Sequence, residues 1–190
     1  MRIIGGTHKG KAITVPKGLP LRPTTDFAKE ALFNILNSRI DLDGITVLDL
    51  FSGTGHISLE FASRGSKSII SVDQNFKCVG FLRALSKDLK FEINAVKGDV
   101  FDFLKNSTMT FDLIFADPPY DLLEIPKIHE LVFEKKLLNE GGMLIIEHGP
   151  KTKLETLKGF TQHRKYGNVN FSFFENTIEG RNTEQVEKII

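Results

Sequence analysis

The most constraining feature of this sequence is a regular alternation of short apolar runs with helical patterns between Ile45 and His148. Each apolar run has the length of a strand, and each segment between two runs repeats its apolar residues every three or four positions. This alternation predicts an α/β fold with a doubly wound, mostly parallel sheet. The runs are ITVLDL, SIISVD, FEINAV, FDLIFAD and MLIIEH. The first and fourth are almost continuously apolar, as expected for strands covered by helices on both faces.

After Pro150 the pattern changes. The stretch FTQHRKYGNVNFSFFE contains two β segments around Gly167 and Asn168. These segments predict a closing antiparallel hairpin, which brings the sheet to seven strands.

The amino-terminal part of the chain carries two further β-like pieces, RII and AITV, on either side of GGTHKGK. They predict a β-hairpin arm. Thr24, Thr25 and Asp26 are good N-cap residues ahead of an apolar helical face. We therefore expect three parts: a basic arm over residues 1–23, a Rossmann-like domain over 24–176 and a tail over 177–190.

Composition places the chain among ordinary globular proteins, because 190 residues with 41% hydrophobic and 26% charged residues suit one domain. No apolar run approaches the roughly 18 residues of a membrane span, and the start MRIIGGTHKG lacks the apolar segment of a secretory signal. We expect a cytoplasmic protein without membrane contact. The single cysteine, Cys78, cannot form an internal disulfide.

Positive charge is concentrated in two places despite a net charge of +1. Five cations precede the first acidic residue, and a second group is interrupted only by Glu155. Such asymmetry favours a polyanionic partner on one side of the protein, and solvated surface charge is the alternative. The two groups are Arg2, Lys9, Lys11, Lys17 and Arg22, and Lys151, Lys153, Lys158, Arg164 and Lys165.

Two motif matches are incomplete. GGTHKGKA resembles a phosphate-binding P-loop, but Ala12 replaces the required hydroxyl and a β-like piece follows. HELVF begins like a zinc-binding helix, but Phe133 stands where the second histidine is needed. With the other histidines scattered, we expect no metal site.

The stretch DLFSGTGHIS follows a predicted strand and opens a helix. Gly53 and Gly55 allow the backbone to approach a ligand closely, although they could also serve only a tight turn. Asp49 sharpens the prediction. A carboxylate here would repel the pyrophosphate of a dinucleotide, whereas it would attract the ammonium and sulfonium of S-adenosylmethionine.

Acids also follow the second and third predicted strands. Asp73 could accept the ribose hydroxyls of a nucleoside and Asp99 could accept the adenine amine, while helix capping is the alternative for both. Ligands of doubly wound sheets bind beyond the carboxyl ends of the strands, so we expect these acids to share one crevice. The predicted cofactor contacts are Asp49, Phe51, Ser52, Gly53, Gly55, Asp73, Gln74, Asp99 and Val100.

The fourth predicted strand ends in FDLIFADPPYD. The carboxylate of Asp117 and the carbonyl of Pro118 can accept the two N–H bonds of an exocyclic amine, Pro119 makes the corner rigid, and Tyr120 can stack on the base. This arrangement orients the nitrogen lone pair toward a methyl donor. After transfer the cationic nitrogen is strongly acidic, so no histidine base is required. A simple turn is the alternative interpretation.

The combination of RIIGG, LRPTTDFAKEALFNIL, DLFSGTG, DPPY and KYGNVNFSFFE resembles the bacterial 16S ribosomal RNA (guanine(966)-N(2))-methyltransferases from Arg2 to about Glu175. The resemblance implies a class I methyltransferase with cofactor contacts at Asp49, Gly53, Gly55, Asp73 and Asp99 and catalysis at Asp117, Pro118 and Tyr120. One departure is Ser58, where family members often have glycine. We expect tighter helix packing there and no loss of the site.

Our leading hypothesis is methyl transfer from S-adenosylmethionine to the N2 amine of a guanine in 16S ribosomal RNA, within an assembling small subunit and by a monomer. The predicted RNA contacts are Arg2, Lys9, Lys11, Arg22, Thr24 and Thr25. The alternatives are an adenine-N6 methyltransferase acting on DNA or another RNA, and a non-catalytic RNA-binding assembly factor. A nicotinamide dehydrogenase is the weakest option.

Overall fold

The computed structural model describes residues 1–19 and 26–176. Seven strands form one sheet in the order β3-β2-β1-β4-β5-β7-β6. The elements in chain order are α1 (Asp26–Asn37), β1 (Thr46–Leu50), α2 (His56–Ser63), β2 (Ser68–Asp73), α3 (Phe76–Leu89), β3 (Ile93–Lys97), α4 (Val100–Asn106), β4 (Phe111–Ala116), α5 (Ile125–Glu134), β5 (Leu138–His148), β6 (Phe160–Tyr166) and β7 (Val169–Glu175).

The sheet confirms the predicted architecture. Strands β1 to β5 are parallel, and β7 pairs antiparallel with both β5 and β6. Strand order reverses between β1 and β4, which are neighbours although two strands separate them in the chain. The carboxyl edge, where the parallel strands end, therefore opens a crevice at this switch point. We call the opposite side of the sheet the amino edge.

Helices cover both faces of the sheet. The side chains of β1 and β4 alternate between a cluster built with α4 and α5 and a cluster built with α1 and α2. Leu48 and Ile114 belong to the first cluster, Val47 and Leu113 belong to the second, and all four are fully buried. Continuous apolar strands are thus explained by burial on both faces.

The predicted amino-terminal hairpin is reduced to one antiparallel bridge, between Arg2 and Ala12, with a short 3-10 helix at Gly6–His8 in its tip. It is packed against the domain, because Ile3 and Ile13 are buried with α3 and α2 side chains. The amide of Ile4 donates to the Glu60 carboxylate at 2.9 Å. The hairpin therefore lies along α2.

A buried ionic group fixes this contact. Glu60 is fully buried and pairs with Arg64 at 2.8 Å and with Lys29 at 3.9 Å. The Lys29 ammonium also donates to the carbonyl of Arg2 at 2.6 Å. Because removing one partner from a buried pair leaves an uncompensated charge, this group holds α1, α2 and the hairpin in one arrangement.

Arg22, Thr24 and Thr25 lie outside the described residues, and so does the tail over 177–190. The predicted caps of α1 and the boundary between residues 23 and 24 stay predictions. In the described part of the chain, no helix is long and apolar enough to cross a membrane.

Candidate active site

A cavity of about 650 Å³ opens at the carboxyl edge beside the switch point between β1 and β4. Its walls come from the loops after β1, β2, β3 and β4 and from the first turns of α4 and α5. Nine predicted site residues line it: Phe51, Ser52, Gly53, Asp73, Gln74, Asp99, Val100, Asp117 and Pro119. The structure therefore brings together residues that are up to 68 positions apart in the chain.

The loop after β1 has a conformation that glycine permits. Gly53 has φ 52° and Gly55 has φ 80°, both in the left-handed region. A Cβ at Gly55 would also collide with the side chain of Leu82, so this position needs glycine for two reasons. Phe51 adopts φ 58° without being glycine, and its ring lies edge-on to Phe101 at 6.3 Å between centroids. The loop is held in a shape that few residues adopt freely.

Asp73 anchors this loop. Its Oδ2 accepts from the amide of Gly53 at 2.7 Å, and its Oδ1 accepts from the amide of Asn75 at 2.8 Å. An ionised carboxylate offers about four lone-pair sites, so these bonds leave acceptor capacity toward the cavity. Asp73 can shape the loop and bind hydroxyl groups at the same time.

Asp99 caps a helix, as one of the two interpretations of its sequence position predicted. Its Oδ1 accepts from the amide of Asp102 at 3.0 Å at the start of α4. The side chain is nevertheless exposed and lies on the cavity wall. Capping and ligand contact are therefore compatible here.

Asp49 lies below the cavity instead of on its wall, with 1% of its surface exposed. Its carboxylate accepts from the amide of Ser58 at 3.1 Å and from the Ser58 hydroxyl. Burial raises the pKa of Asp49 to about 7, with the charges of Asp117 and Asp73 acting in the same direction and the Ser58 hydrogen bonds opposing them. Ser58 holds the carboxylate under the loop, and the predicted direct contact with a bound cation stays a prediction.

Ser58 is the position where the sequence departs from the family pattern. Its side chain is fully buried, and its hydroxyl lies 2.7 Å from the hydroxyl of Ser71 in β2. The departure thus adds a hydroxyl group to the carboxylate of Asp49, beyond the closer packing that we expected. No local pattern in the sequence indicates this contact, because Ser58 and Ser71 lie on different elements.

The corner after β4 forms the other wall. The amide of Asp117 donates to the carbonyl of Leu50 at 3.2 Å, so the residue is fixed directly beside the end of β1. Asp117 is 5% exposed and lines the cavity, whereas the Pro118 side chain is buried behind it. Tyr120 stands outside the cavity lining with 41% of its surface exposed.

Sequence reasoning missed the partner of Tyr120. The phenol donates to Oε1 of Glu147 at 2.7 Å, and Glu147 is only 2% exposed at the end of β5. A Cβ at Gly149 would lie 3.1 Å from the tyrosine ring, so the backbone there packs closely against it. The available signal was the acid near the end of the apolar run MLIIEH, just as Asp49, Asp73 and Asp117 stand at or directly after the ends of their own strands.

The predicted RNA contacts fall at different ends of the molecule. Arg2 pairs with Asp26 at 3.3 Å, where α1 begins near the carboxyl edge. The hairpin tip that carries Lys9 and Lys11 is bonded to Ser63, the last residue of α2, and therefore lies at the amino edge. The tip is on the side of the sheet away from the cavity.

Metal ligands were not expected, and the described residues include no group of three His, Cys, Asp or Glu side chains that could hold a metal ion. Cys78 is buried. Burial raises the pKa of its thiol, and the charge of Asp73 acts in the same direction.

The doubly wound sheet, with β7 antiparallel between β5 and the edge strand β6, is the Rossmann-like architecture of class I methyltransferases. The Escherichia coli protein yhhF superposes with a TM-score of 0.81 at 24% identity, covering 92% of this chain and 97% of its own. A T. thermophilus structure described as a 16S rRNA N2 G1207 methyltransferase with AdoMet and guanosine gives a TM-score of 0.68 at 24% identity, over 83% of this chain and 45% of the other. At these identities the likeness shows the fold.

The family described as Conserved hypothetical protein 95 matches residues 1–175, and this chain belongs to it. The Bacillus subtilis protein YlbH, which carries a provisional rRNA methyltransferase name, is 32% identical over 92% of this chain and 98% of its own. The Escherichia coli "Ribosomal RNA small subunit methyltransferase D" is 26% identical over 95% and 92%. The resemblance drawn from RIIGG, LRPTTD, DLFSGTG and DPPY is confirmed.

Proposed function

We propose that this protein is an rRNA methyltransferase that transfers a methyl group from S-adenosylmethionine to the exocyclic N2 amine of a guanine in 16S ribosomal RNA. The observation that carries the proposal is one cavity that joins the Asp73-anchored glycine loop to the Asp117 corner. Relatives of similar length are named small-subunit methyltransferases.

The cavity suits a nucleoside with a cationic side arm. Asp73 offers acceptors for ribose hydroxyls, and Asp99 lies where the adenine amine could donate. Phe51 and Phe101 provide an apolar wall for the ring. When bound, the sulfonium supplies the electrophilic methyl group. From below the loop, the buried carboxylate of Asp49 would stabilise this positive charge through its field.

The base would enter beside β4. Asp117 and the carbonyl of Pro118 hold the two amine hydrogens, which turns the nitrogen lone pair toward the cavity. Tyr120 offers a ring face, and its hydroxyl bond to Glu147 limits the rotation of that ring. The new cationic nitrogen loses its proton readily, and the described cavity lining includes a carboxylate, Asp117, that can receive it.

The guanine assignment has one further support. The T. thermophilus structure with the same fold is described as a 16S rRNA N2 methyltransferase in complex with guanosine. The same Asp-Pro-Pro-Tyr corner could hold an adenine N6 amine, so the base must be identified chemically.

Nucleoside mass analysis decides among the candidates. The purified protein is incubated with labelled S-adenosylmethionine and with either naked 16S RNA or 30S particles from cells that lack the gene. We expect N2-methylguanosine, with more label entering the particles than the naked RNA. N6-methyladenosine would establish the adenine alternative, and RNA binding without any methyl transfer would establish the assembly factor.

A further inference from the structure

We propose that single-stranded RNA next to the target base crosses the carboxyl edge at the β5, β7 and β6 end of the sheet. We call this surface the hairpin face and define it by four exposed cations. This inference rests on the proposed function for the identity of the polyanion, and it assigns phosphate contacts that the sequence-based RNA prediction did not include. The four cations are Lys151, Lys153, Arg164 and Lys165.

The two lysines stand immediately beyond the corner that would hold the base. Strand β5 ends at His148, and the next residue, Gly149, packs against the ring of Tyr120. Lys151 and Lys153 follow it by two and four positions, and both are exposed. A polynucleotide whose base reaches Tyr120 has its phosphates within reach of these side chains.

The two β6 cations lie at the same edge. His148 pairs with Asn170 in the β5–β7 ladder, so the turn between β6 and β7 extends past the end of β5. Arg164 and Lys165 lie directly before Tyr166, the last residue of β6 ahead of that turn, and both are exposed. The hairpin therefore brings its cations to the carboxyl edge.

Polar contacts, most of them buried, hold this part of the edge in place. The ring of His148 is 1% exposed and lies 2.8 Å from the Ser172 hydroxyl, and His163 lies 3.1 Å from Asn170. The Asn170 side-chain amide donates to the carbonyl of His148 at 3.3 Å. The end of β5, the β6–β7 hairpin and the two histidines thus form one hydrogen-bonded network. This surface is therefore preformed for a ligand.

The hairpin face differs in charge from the wall of the cavity. On the wall, Lys105 pairs with Asp102 at 3.6 Å and Lys127 with Glu124 at 3.5 Å. Among the described residues, none of the four hairpin-face cations forms an ion pair, and Glu155 is the single acid between Gly149 and Asn170. Lys153 interacts electrostatically with Glu155, so an anion at this face meets three further cations, Lys151, Arg164 and Lys165, that form no ion pair with a described residue.

Exposed apolar side chains complete the surface. Leu123, three residues after Tyr120, is 94% exposed. Phe27 is 68% exposed and meets the ring of Tyr166 at 6.0 Å, next to Lys165. Cations interleaved with exposed rings and apolar groups are typical of surfaces that bind unpaired nucleotides. A base extruded toward Tyr120 would leave its neighbours unstacked, and these groups can contact them.

The test compares charge removal at the two ends of β5. The variants are K151Q/K153Q and R164Q/K165Q on the hairpin face, and the control is K135Q/K136Q, an exposed lysine pair that precedes β5 at the amino edge. Binding of each protein to a labelled, transcribed 16S RNA is measured between 50 and 200 mM salt, and the thermal shift produced by S-adenosylhomocysteine checks that each variant is folded.

Each hairpin-face variant should lower the slope of log affinity against log salt by about 1.4, since each lost phosphate contact removes about 0.7. At 0.1 M salt this corresponds to about 25-fold weaker binding. The control should bind like the unmodified protein. Equal slopes for the control and both hairpin-face variants would overturn the inference, and if one variant fails to fold, the other decides.

Methyl transfer by the unmodified protein to the same RNA is measured in a separate assay. Binding that depends on the hairpin face without any transfer would uphold this surface and reject the enzymatic proposal. Methyl transfer by the unmodified protein, together with RNA binding that charge removal on the hairpin face leaves unchanged, would uphold the enzymatic proposal and reject this surface.

Discussion

The two halves of the crevice are built by different means. At the ends of β1, β2 and β3, each carboxylate accepts from main-chain amides: Asp49 from Ser58, Asp73 from Gly53 and Asn75, and Asp99 from Asp102. Asp49 also accepts from the Ser58 hydroxyl. At the ends of β4 and β5 the Asp117 amide also donates to the Leu50 carbonyl, but the contacts that distinguish this half join side chains, Tyr120 with Glu147 and His148 with Ser172.

This difference indicates a division of labour. A carboxylate bonded to amides fixes the path of a loop, and a cofactor that every substrate shares needs a loop of constant shape. Contacts between side chains fix the orientation of individual groups, which is what an amine of a specific base requires. We therefore expect changes in the first half to alter cofactor affinity and changes in the second half to alter the rate of transfer.

The largest effect is expected in the second half. Asp117→Ala removes a group that would orient the amine, so kcat should fall roughly 10³-fold while cofactor affinity changes little. Single-turnover transfer and calorimetric titration of the cofactor measure the two quantities. Asp121→Ala, an exposed carboxylate four residues further on, is the matched control and should be unaffected. Full activity of the Asp117 variant would remove the role given to that side chain.

A smaller effect, on cofactor affinity instead of on the rate of transfer, is expected in the first half. Asp73→Asn weakens the acceptor that anchors the loop at Gly53 and Asn75, so the Kd for S-adenosylmethionine should rise about 30-fold, as for loss of a charged hydrogen bond. The rate at saturating cofactor should stay within about threefold of the unmodified protein. Asp88→Asn, exposed near the end of α3, is the control. A change confined to kcat would contradict the division between the halves.

The sequence predicted residues in both halves, the acids and glycines after β1, β2 and β3 as well as the corner from Asp117 to Tyr120 after β4. Asp49, Gly53 and Asp73 stand at strand ends followed by glycine or by helix-capping patterns, and such local signals determine where an element stops. Because parallel strands end at a common edge, the convergence of these residues followed from the alternation alone. The predicted seven-stranded sheet is confirmed for the same reason.

Contacts between distant elements were beyond the sequence. The bond from Tyr120 to Glu147 depends on β5 lying next to β4, and the contact of Ser58 with Ser71 depends on α2 lying over β2. Hydrophobic periodicity gives the type of each element but not its neighbours. The same gap concealed the position of Lys9, whose hairpin follows α2 to the amino edge.

Within the second half, the Tyr120–Glu147 bond should have a moderate effect. Tyr120→Phe and Glu147→Gln should each lower kcat about tenfold, consistent with about 1.4 kcal/mol for one hydrogen bond to a carboxylate. Because both variants weaken the same contact, the double variant should be no slower than either single one. Transfer kinetics at saturating RNA measure this coupling. Additive losses would show that the two side chains act independently, and an effect on KM alone would place them in RNA binding.

The smallest expected effect tests whether the bound cation senses the charge of Asp49. Its pKa of about 7 means that the buried carboxyl group is largely protonated at pH 6 and largely ionised at pH 8. The ionised form attracts a cation, so the affinity for S-adenosylmethionine should rise about threefold over this range relative to S-adenosylhomocysteine, which lacks the sulfonium charge. Calorimetric titrations of both ligands at several pH values measure this ratio.

The stability of the unliganded protein should fall as pH rises toward about 7. A carboxyl group whose pKa is raised by folding contributes its stabilisation below the unfolded value, and that contribution is lost as pH rises through about 7. Ser58→Ala removes a hydrogen bond that lowers the pKa, so both transitions should shift to higher pH. Asp49→Asn should abolish the pH dependence of the ligand ratio. A ratio that stays constant from pH 6 to pH 8 in the unmodified protein would mean that Asp49 shapes the loop through Ser58 and that the cation does not sense its charge.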